Sequence, residues 1–363
     1  MTGPTPAQPI GDRPLRVVMS GAGFVTPFHL AGWARLPGVT VAAIAGRNRE
    51  VCAQRAAAHG IARVYHDLAE ALDKERPDIL DICTPAEVHL AQARLACERG
   101  IHFICQKPLA QDMATAEEIA AVAEAAAVRA MVHENFRFRP WYRALGSLIR
   151  RGDIGAPFYL RSAQRMAGTV TTAAHPEAPW SLARQPFFAR LQRFLILESM
   201  IHQVDVARWL LGEPRSVYAR ARRVSPLVRG EDMAILHLTF EEAEAVLERS
   251  YASRGRERPP VASEEVVVEG ERGAAFVDTD GALRVICDTP AGHEERTVPV
   301  DGEDAYARSY AAAIEHFVTA LRKGEPFETS LEDNLITLAA TLAAYRSIES
   351  GSVVMLSEFK EYC

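Results

Sequence analysis

The segment around which the chain is organised reads Ile101-His102-Phe103-Ile104-Cys105-Gln106-Lys107-Pro108-Leu109-Ala110. Its first half is rich in β-branched and aromatic residues, which predicts a buried strand of a parallel sheet. The strand stops at a lysine, and the proline that follows favours an extended conformation for the residue before it. Lys107 is therefore predicted at the carboxyl end of a strand, the edge that borders the ligand crevice in open α/β sheets. The alternative is a surface lysine that merely ends a strand.

Two glycines after an earlier strand point to a nucleotide. Leu15 to Ser20 reads as a strand and continues into Gly21-Ala22-Gly23-Phe24-Val25-Thr26, and a helical pattern follows from Phe28 to Leu36. Such a turn allows the backbone to approach a pyrophosphate, which the amino end of the helix binds through its free N–H groups and its dipole. Gly21, Gly23, Phe24 and Val25 are the predicted cofactor contacts. Thr26 occupies the third glycine position, so a plain strand-turn-helix stays open.

The residues after the second predicted strand indicate which dinucleotide binds. Val39 to Ala45 completes a βαβ unit, and the chain continues Gly46-Arg47-Asn48-Arg49 with no acid at the strand end. An acid at this place reads the free 2′-hydroxyl of NAD, whereas an arginine accommodates the 2′-phosphate of NADP. We predict a preference for NADP(H), with Gly46 and Arg47 in the site and Arg47 on the phosphate or stacked on the adenine. Two solvated surface arginines are the alternative.

Alternating strands and helices complete a first half. Strands are predicted at Asp78 to Cys83, Ile101 to Cys105 and Ala130 to His133, with alanine-rich helices over 87–99 and 113–127. This alternation predicts a doubly wound parallel sheet. Thr84 and Pro85 follow one of these strands and are predicted to line the cofactor cleft.

The second half has a different pattern, in which alternating stretches with turn signals between them predict an open, mainly antiparallel sheet covered by helices. Two final helices over 305–323 and 331–350 cover this sheet or return to the first domain. We therefore expect a disordered tail over 1–13, a Rossmann domain over 14–135 and a second, α+β domain over 136–363.

One helical segment in the second half carries candidate chemistry. The pattern from Glu198 to Gly212 predicts a helix with an apolar face and a C-terminal glycine. At about 100° per residue, Glu198, His202 and Asp205 lie within roughly 40° of one direction. A histidine flanked by two carboxylates suits a general base. A surface contact between Glu198 and His202 is the alternative.

Composition excludes several functions. The net charge of -6 offers no general attraction to nucleic acid or to anionic membranes. No apolar run reaches the length of a membrane helix. The six cysteines show no close CxxC pair, which predicts a reduced, cytoplasmic protein without a cysteine-ligated metal site.

Taken together, these features resemble the Gfo/Idh/MocA family of NAD(P)-dependent oxidoreductases over nearly the whole chain. The motifs that carry the resemblance are Gly21, Gly23 and His29 for GxGxxGxxH, Thr84-Pro85-Ala86-Glu87-Val88-His89 for TPNxxH, Gln106-Lys107-Pro108 for EKP, Asn135 and Arg137 after the sixth strand, and Glu198, His202 and Asp205 for DxGxHxxD. The departures are Thr26, Ala86, Gln106, Glu198 and Met200. Gln106 and the run from His133 to Tyr142 also resemble a subgroup of the family that includes D-apiose dehydrogenases.

The resemblance implies hydride transfer between a nicotinamide and a secondary alcohol of a sugar, sugar acid or polyol. It implies that His202 takes the hydroxyl proton, that Lys107 stabilises charge on the same oxygen and that Glu198 orients the substrate or the histidine. His89 and Gln106 join Lys107 among the implied cofactor contacts, and Asn135 and Arg137 are implied substrate contacts. It also implies that the domain over 136–363 binds the substrate and mediates oligomerisation, into a homodimer or homotetramer. Two other functions found in the family stay open as alternatives: an NAD-dependent glycosidase and a non-catalytic dinucleotide-binding regulator.

Overall fold

The computed structural model describes residues 9–255, 264–290 and 292–359, and it divides into two compact units. The first unit comprises the residues up to Asn135 together with Tyr306–Ile336. The second comprises Phe136–Ala305 and the residues from Thr337 onward. Residues 306–336 fall within the predicted second domain, 136–363, but belong to the first unit, which is one of the two locations predicted for the final helices. Residues 1–8 of the predicted tail lie outside the described residues.

The first unit is built on six parallel strands. Its elements up to Asn135 are β1 (Leu15–Ser20), α1 (Thr26–Trp33), β2 (Val39–Ala45), α2 (Arg49–Ala58), β3 (Arg63–Tyr65), α3 (Leu68–Glu75), β4 (Ile79–Ile82), α4 (His89–Cys97), β5 (His102–Gln106), α5 (Met113–Ala125) and β6 (Ala130–His133). The strand order is β3-β2-β1-β4-β5-β6, with every pairing parallel. This is the Rossmann order, which reverses between β1 and β4 and opens a crevice at their carboxyl ends. The predicted doubly wound sheet is confirmed.

The remaining elements follow in chain order. They are α6 (Pro140–Arg151), β7 (Pro157–Arg165), α7 (Trp180–Arg184), α8 (Ile201–Leu211), β8 (Ser216–Arg222), β9 (Met233–Thr239), β10 (Glu244–Ser250), β11 (Glu265–Gly270), β12 (Gly273–Val277), β13 (Leu283–Thr289), β14 (Gly292–Val298), α9 (Ala305–Lys323), α10 (Leu331–Ser350), β15 (Val354–Met355) and α11 (Leu356–Phe359). The sheet of the second unit has the order β14-β13-β12-β11-β7-β10-β9-β8-β15. Among the described strands of this second sheet, only the β7–β10 pairing is parallel, so the predicted mainly antiparallel sheet is confirmed.

Side-chain caps and apolar strands explain the local structure of the first unit. Asn48, Asp67 and Asp112 each accept a hydrogen bond from the backbone N–H three residues later, at the starts of α2, α3 and α5. Such caps satisfy one of the donors that a helix start leaves without a partner. The strands β1, β4 and β5 are almost wholly buried, as expected for a parallel sheet covered on both faces.

Helix α9 completes the core of the first unit. Ile314 and Phe317 from this helix are fully buried in one cluster with Leu30 and Trp33 of α1. The two helices approach closely at Gly32, where a Cβ would lie 2.8 Å from Cδ1 of Ile314. Because α1 follows the glycine turn directly, this packing fixes the helix end at which the site begins.

Three strands had no clear signal in the sequence. Strand β3 has only three residues, and β15 has two, so neither is long enough to show a period. Strand β14 reads GHEERTV and is largely exposed, so it lacks an apolar alternation. None of the helices in the described part of the chain combines the length and the apolar character needed to cross a bilayer.

Candidate active site

The glycine turn after β1 forms an open cradle in the first unit. Gly21 has φ +99°, and a Cβ there would lie 2.6 Å from the carbonyl oxygen of Cys83 at the end of β4. Only glycine fits this conformation and this approach without strain. At Gly23, by contrast, no heavy atom of the described residues, apart from the chain neighbours, lies within 4 Å of the position of a Cβ. An open glycine before a helix start fits the pyrophosphate of a dinucleotide.

The start of α1 holds the cradle in shape. The hydroxyl of Thr26, which stands at the third glycine position, is buried and donates a hydrogen bond to the carbonyl oxygen of Gly21 at 3.2 Å. The ring of Phe24 packs edge-on against Phe28, with 5.5 Å between centroids. The carbonyl oxygen of Val25 accepts the N–H of Phe28 at 3.0 Å. Thr26 therefore stabilises the turn in which the dinucleotide-binding fingerprint has its third glycine.

The end of β2 presents arginines and no acid. A Cβ at Gly46 would lie 2.8 Å from Sγ of Cys52, so a larger side chain at this position requires Cys52 to move. Arg47 and Arg49 are exposed, and Asn48 between them caps α2. Within the described residues, the guanidinium group of Arg47 makes no ion pair. The first positions after β2 thus present cationic side chains where Rossmann domains contact the adenosine ribose of the dinucleotide.

His89 joins the loop after β4 to the loop after β5. Its ring is fully buried, with Nε2 2.8 Å from the carbonyl oxygen of Thr84 and Nδ1 3.0 Å from that of Leu109. Burial lowers the pKa of His89 more than the two carbonyl oxygens raise it, which favours the neutral ring. The hydroxyl of Thr84 donates to Oε1 of Gln92 at 3.2 Å, and Pro85 is exposed. His89 thus fixes two loops that were predicted to border the cofactor.

Lys107 lies directly after β5, as the sequence predicts. Its side chain is half-buried, and the peptide bond to Pro108 is cis. Gln106 before it is buried, and its Nε2 lies 2.8 Å from Nε2 of His29 on α1. The residue before the lysine is thus held by the helix that begins at the glycine cradle.

His29 belongs to a buried polar cluster around Asp81 of β4. Oδ2 of Asp81 lies 2.8 Å from Nδ1 of His29 and accepts a hydrogen bond from Nε1 of Trp33 at 2.6 Å. The Cys83 thiol donates to Oδ1 at 3.4 Å, and burial together with this carboxylate raises the pKa of Cys83 well above its ordinary value. His29, Asp81 and Cys83 could in principle hold a metal ion. Each of the three side chains also takes part in a hydrogen bond.

In the second unit, the predicted single helix from Glu198 is interrupted at its start. Residues 196–200 form a π-helical turn, in which the N–H of Ile201 donates to the carbonyl oxygen of Ile196, and α8 begins at Ile201. The predicted α-helix is therefore wrong at its start, because Glu198 lies in the π-helical turn whereas His202 lies in α8. Such turns inside helices occur frequently at functional sites.

His202 and Asp205 have different surroundings. The ring of His202 is 8% exposed and stacks on Phe136, with 3.9 Å between centroids and 1° between planes. The carboxylate of Asp205 accepts hydrogen bonds from Nε of Arg137 at 2.8 Å, from its Nη2, and from the hydroxyl of Thr337 at 3.2 Å. Arg137 and Asp205 are both buried. Asp205 therefore forms a buried ion pair in the unit that contains His202.

The other predicted substrate residue also contacts protein groups. Nδ2 of Asn135, in the first unit, donates to Oγ of Ser309 at 2.7 Å. Lys107 belongs to the same unit, whereas Glu198, His202 and Arg137 belong to the second. The candidate residues of the first unit thus lie just after strand ends. Those of the second unit lie at the start of α8 or contact that helix.

Two residues without a sequence signal support the π-helical turn. Glu231 accepts hydrogen bonds from the N–H of Ile196 at 2.9 Å and from the Tyr345 hydroxyl at 2.8 Å, and both its oxygens lie 3.3 Å from the N of Phe194. Arg249 donates from Nη1 to the carbonyl oxygen of Ser199 at 2.7 Å. Glu231 stands in a polar stretch that reads as a turn, so nothing in the sequence marked it.

Glu231 gives a testable dependence of stability on pH. Burial raises its pKa above the ordinary value of 4.5, and hydrogen bonds from Ile196 and Tyr345 offset only part of this rise. Between these two pKa values the folded protein binds more protons than the unfolded chain, so stability falls as pH rises through that window. We expect Glu231→Gln, which keeps the acceptor oxygen without the charge, to match or exceed the wild-type Tm above about pH 7 and to lose this pH dependence.

Glu231→Ala is the matched variant, because it removes the acceptor as well as the charge. It leaves two backbone N–H groups without their partner, at a cost of about 2 kcal/mol or more. Thermal unfolding of both variants across pH checks the assignment. Equal losses of Tm in the glutamine and alanine variants at neutral pH would contradict it.

Two family profiles match successive parts of the chain. Residues 15–134 match the profile described as "Oxidoreductase family, NAD-binding Rossmann fold". Residues 142–276 match the profile described as "GFO/IDH/MocA C-terminal domain". The two matched ranges together cover more than half of the chain and correspond to the two kinds of sheet.

Relatives match over most of the chain. A D-apiose dehydrogenase from Paraburkholderia graminis is 35% identical over 350 residues, which cover 94% of this chain and 89% of that protein. A D-apiose dehydrogenase from Rhizobium rhizogenes is 29% identical over 352 residues, covering 94% and 97%. A crystal structure of an oxidoreductase from Agrobacterium radiobacter in complex with NAD+, L-tartaric acid and magnesium has a TM-score of 0.85 and 29% identity, covering 94% of this chain and 98% of that one.

Proposed function

The chain belongs to the Gfo/Idh/MocA family of NAD(P)-dependent oxidoreductases, and we propose that it oxidises a secondary alcohol of a sugar, sugar acid or polyol, or reduces the corresponding ketone. The observation that carries the proposal is the position of Lys107. It follows β5 directly, at the edge of the Rossmann sheet where the glycine cradle also lies. A fixed cation at that edge suits a reaction that develops negative charge on an oxygen atom.

The residues have distinct proposed roles. A bound nicotinamide supplies C4 as the acceptor or donor of the hydride. Lys107 donates a hydrogen bond to the reacting oxygen and stabilises its negative charge. His202 takes the proton of the same hydroxyl group during oxidation and returns it during reduction. The stacking of His202 on Phe136 supports this role, because it holds the ring plane in one orientation.

Glu198 is proposed to orient the substrate or His202. It is half-buried and lies in the π-helical turn that immediately precedes α8. Glu231 and Arg249 hold that turn from neighbouring segments, which supports a fixed position for the carboxylate. Asn135 and Arg137 are proposed to support the site indirectly, by fixing the segments to which they belong. The side chain of Asn135 binds Ser309, and the side chain of Arg137 binds Asp205.

The substrate class rests on the relatives. Two of them are named D-apiose dehydrogenases, and they match 94% of this chain. We propose a sugar, sugar acid or polyol as the substrate. The test is a screen of sugars, sugar acids and inositols with NAD and NADP, followed by absorbance of the reduced nicotinamide. Sustained reduction of cofactor by one sugar class supports the proposal, and release of phenol from a nitrophenyl glycoside without net reduction would indicate a glycosidase.

The cofactor preference is proposed to be NADP(H). Gly46-Arg47-Asn48-Arg49 offers no acid for a free 2′-hydroxyl, and the exposed Arg47 suits a 2′-phosphate. We expect kcat/KM for NADP to exceed that for NAD by about tenfold or more, since a hydrogen bond to a charged group contributes about 1.5–3 kcal/mol. Arg47→Gln is expected to remove most of this preference by weakening NADP alone. A tenfold preference of the wild type for NAD would contradict the assignment.

A further inference from the structure

Gln106 links the catalytic lysine to the helix at the cofactor cradle. It is the last residue of β5, directly before Lys107, and its amide Nε2 lies 2.8 Å from Nε2 of His29 on α1. Nδ1 of His29 lies 2.8 Å from the carboxylate of Asp81 on β4. The side chains of three neighbouring elements thus meet at one imidazole inside the first unit.

The two neighbours of His29 determine its protonation state. A carboxylate only accepts hydrogen bonds, so Nδ1 must carry a proton toward Asp81. An amide nitrogen only donates, so Nε2 must present a lone pair to Gln106. With the nitrogen of the Gln106 amide facing the ring, the ring is thus neutral, with its proton on Nδ1. His133, at 4.2 Å between ring centroids, and Tyr310, at 5.3 Å, also face the ring.

We propose that Gln106 is a positioning residue, which holds Lys107 at a fixed place relative to the cofactor cradle by donating to a neutral His29. The inference rests on the proposed role of Lys107. The backbone of Gln106 continues into the lysine, and His29 is anchored by the buried Asp81, which Trp33 and Cys83 also bind. The position of the lysine backbone is thereby coupled to α1, whose amino end the cofactor approaches. Displacing a reacting group by about 1 Å costs on the order of 100-fold in rate.

The amide also determines the charge of the cluster. With Gln106 and a neutral His29, Asp81 supplies one negative charge. An ionised glutamate at position 106 would accept and could not donate, so both nitrogens of His29 would have to carry protons. The cluster would then contain two carboxylates and one imidazolium, and its net charge would again be one negative. The Gln106→Glu variant therefore requires one more proton in the cluster than the wild type does.

The first arm of the experiment removes the hydrogen bond without adding charge. Gln106→Leu is expected to lower kcat by about 10- to 100-fold, while the substrate KM and the cofactor dissociation constant change by less than about threefold. Gln111→Leu, in the same loop, is the control and should retain kcat within about twofold, because its bond to Glu87 is exposed. A Gln106→Leu variant with wild-type kcat would overturn the proposal.

The second arm follows His29 itself. Nitrogen NMR of histidine-labelled protein without cofactor should show His29 neutral and protonated on Nδ1 in the wild type, and doubly protonated in Gln106→Glu. A doubly protonated His29 in the wild type would overturn the proposal. If no sugar is turned over, the proposed function fails, and the NMR spectra still decide the state of His29.

Discussion

Replacing Lys107 with methionine is expected to lower kcat by about 100- to 1,000-fold, while the dissociation constant of the cofactor changes by less than about threefold. The substitution keeps an unbranched apolar stem and removes the ammonium group. The lost contribution is the electrostatic stabilisation of the oxygen atom from which the proton leaves. Binding should persist, because the glycine cradle and the start of α1 are formed by other residues. Steady-state kinetics and a fluorescence titration with NADP separate the two effects.

Lys74→Met is the matched control for this change. Lys74 is exposed on α3, and its ion pair with Glu70, four residues earlier, is a solvent-exposed contact within one helix. Its kcat should stay within about twofold of the wild type. Normal turnover by Lys107→Met would show that the ammonium group has no part in the reaction, and the proposed role would have to be given up.

The architecture follows largely from patterns that are visible in the sequence. Buried parallel strands read as continuous apolar runs, and this identified β1, β4, β5 and β6 together with the family resemblance, which is confirmed. The two terminal helices α9 and α10 have the predicted bounds. The strands without a signal are short or polar edges, such as β14, where packing supplies too little apolar pattern to detect.

The details of the site were less accessible, because they depend on contacts between distant segments. His29 and Gln106 are separated by 77 positions, and their hydrogen bond follows from the adjacency of α1 and β5 in the fold. Glu231 supports Ile196 across 35 positions. The π-helical turn has no sequence signature either, since the pattern of its residues also predicts an α-helix. Motifs therefore indicated which residues to consider, and the fold determined what each side chain touches.

The ion pair between Arg137 and Asp205 shows that contacts made in the fold can change the role inferred for a residue from its motif. Both residues were assigned to the site from their motifs, Arg137 as a substrate contact and Asp205 as a second acid beside His202. In the structure, Nε of Arg137 donates to Asp205 at 2.8 Å, and both side chains are at least 97% buried. A guanidinium group bound in this way to a carboxylate fixes α8 against the segment that follows β6. Its main contribution is thus expected in stability.

Arg137→Met is expected to destabilise the protein by about 3–5 kcal/mol, because it leaves the Asp205 carboxylate buried without its cationic partner. For a unit of this size, that corresponds to a fall in Tm of about 6–20 °C. The double variant Arg137→Met/Asp205→Leu should recover a large part of the loss, since no buried charge is left. Arg215→Met removes an exposed pair with Glu241 and should cost less than about 1 kcal/mol. If Arg137→Met instead kept its Tm and raised only the substrate KM, Arg137 would be a direct substrate contact, and the ion pair would be incidental to stability.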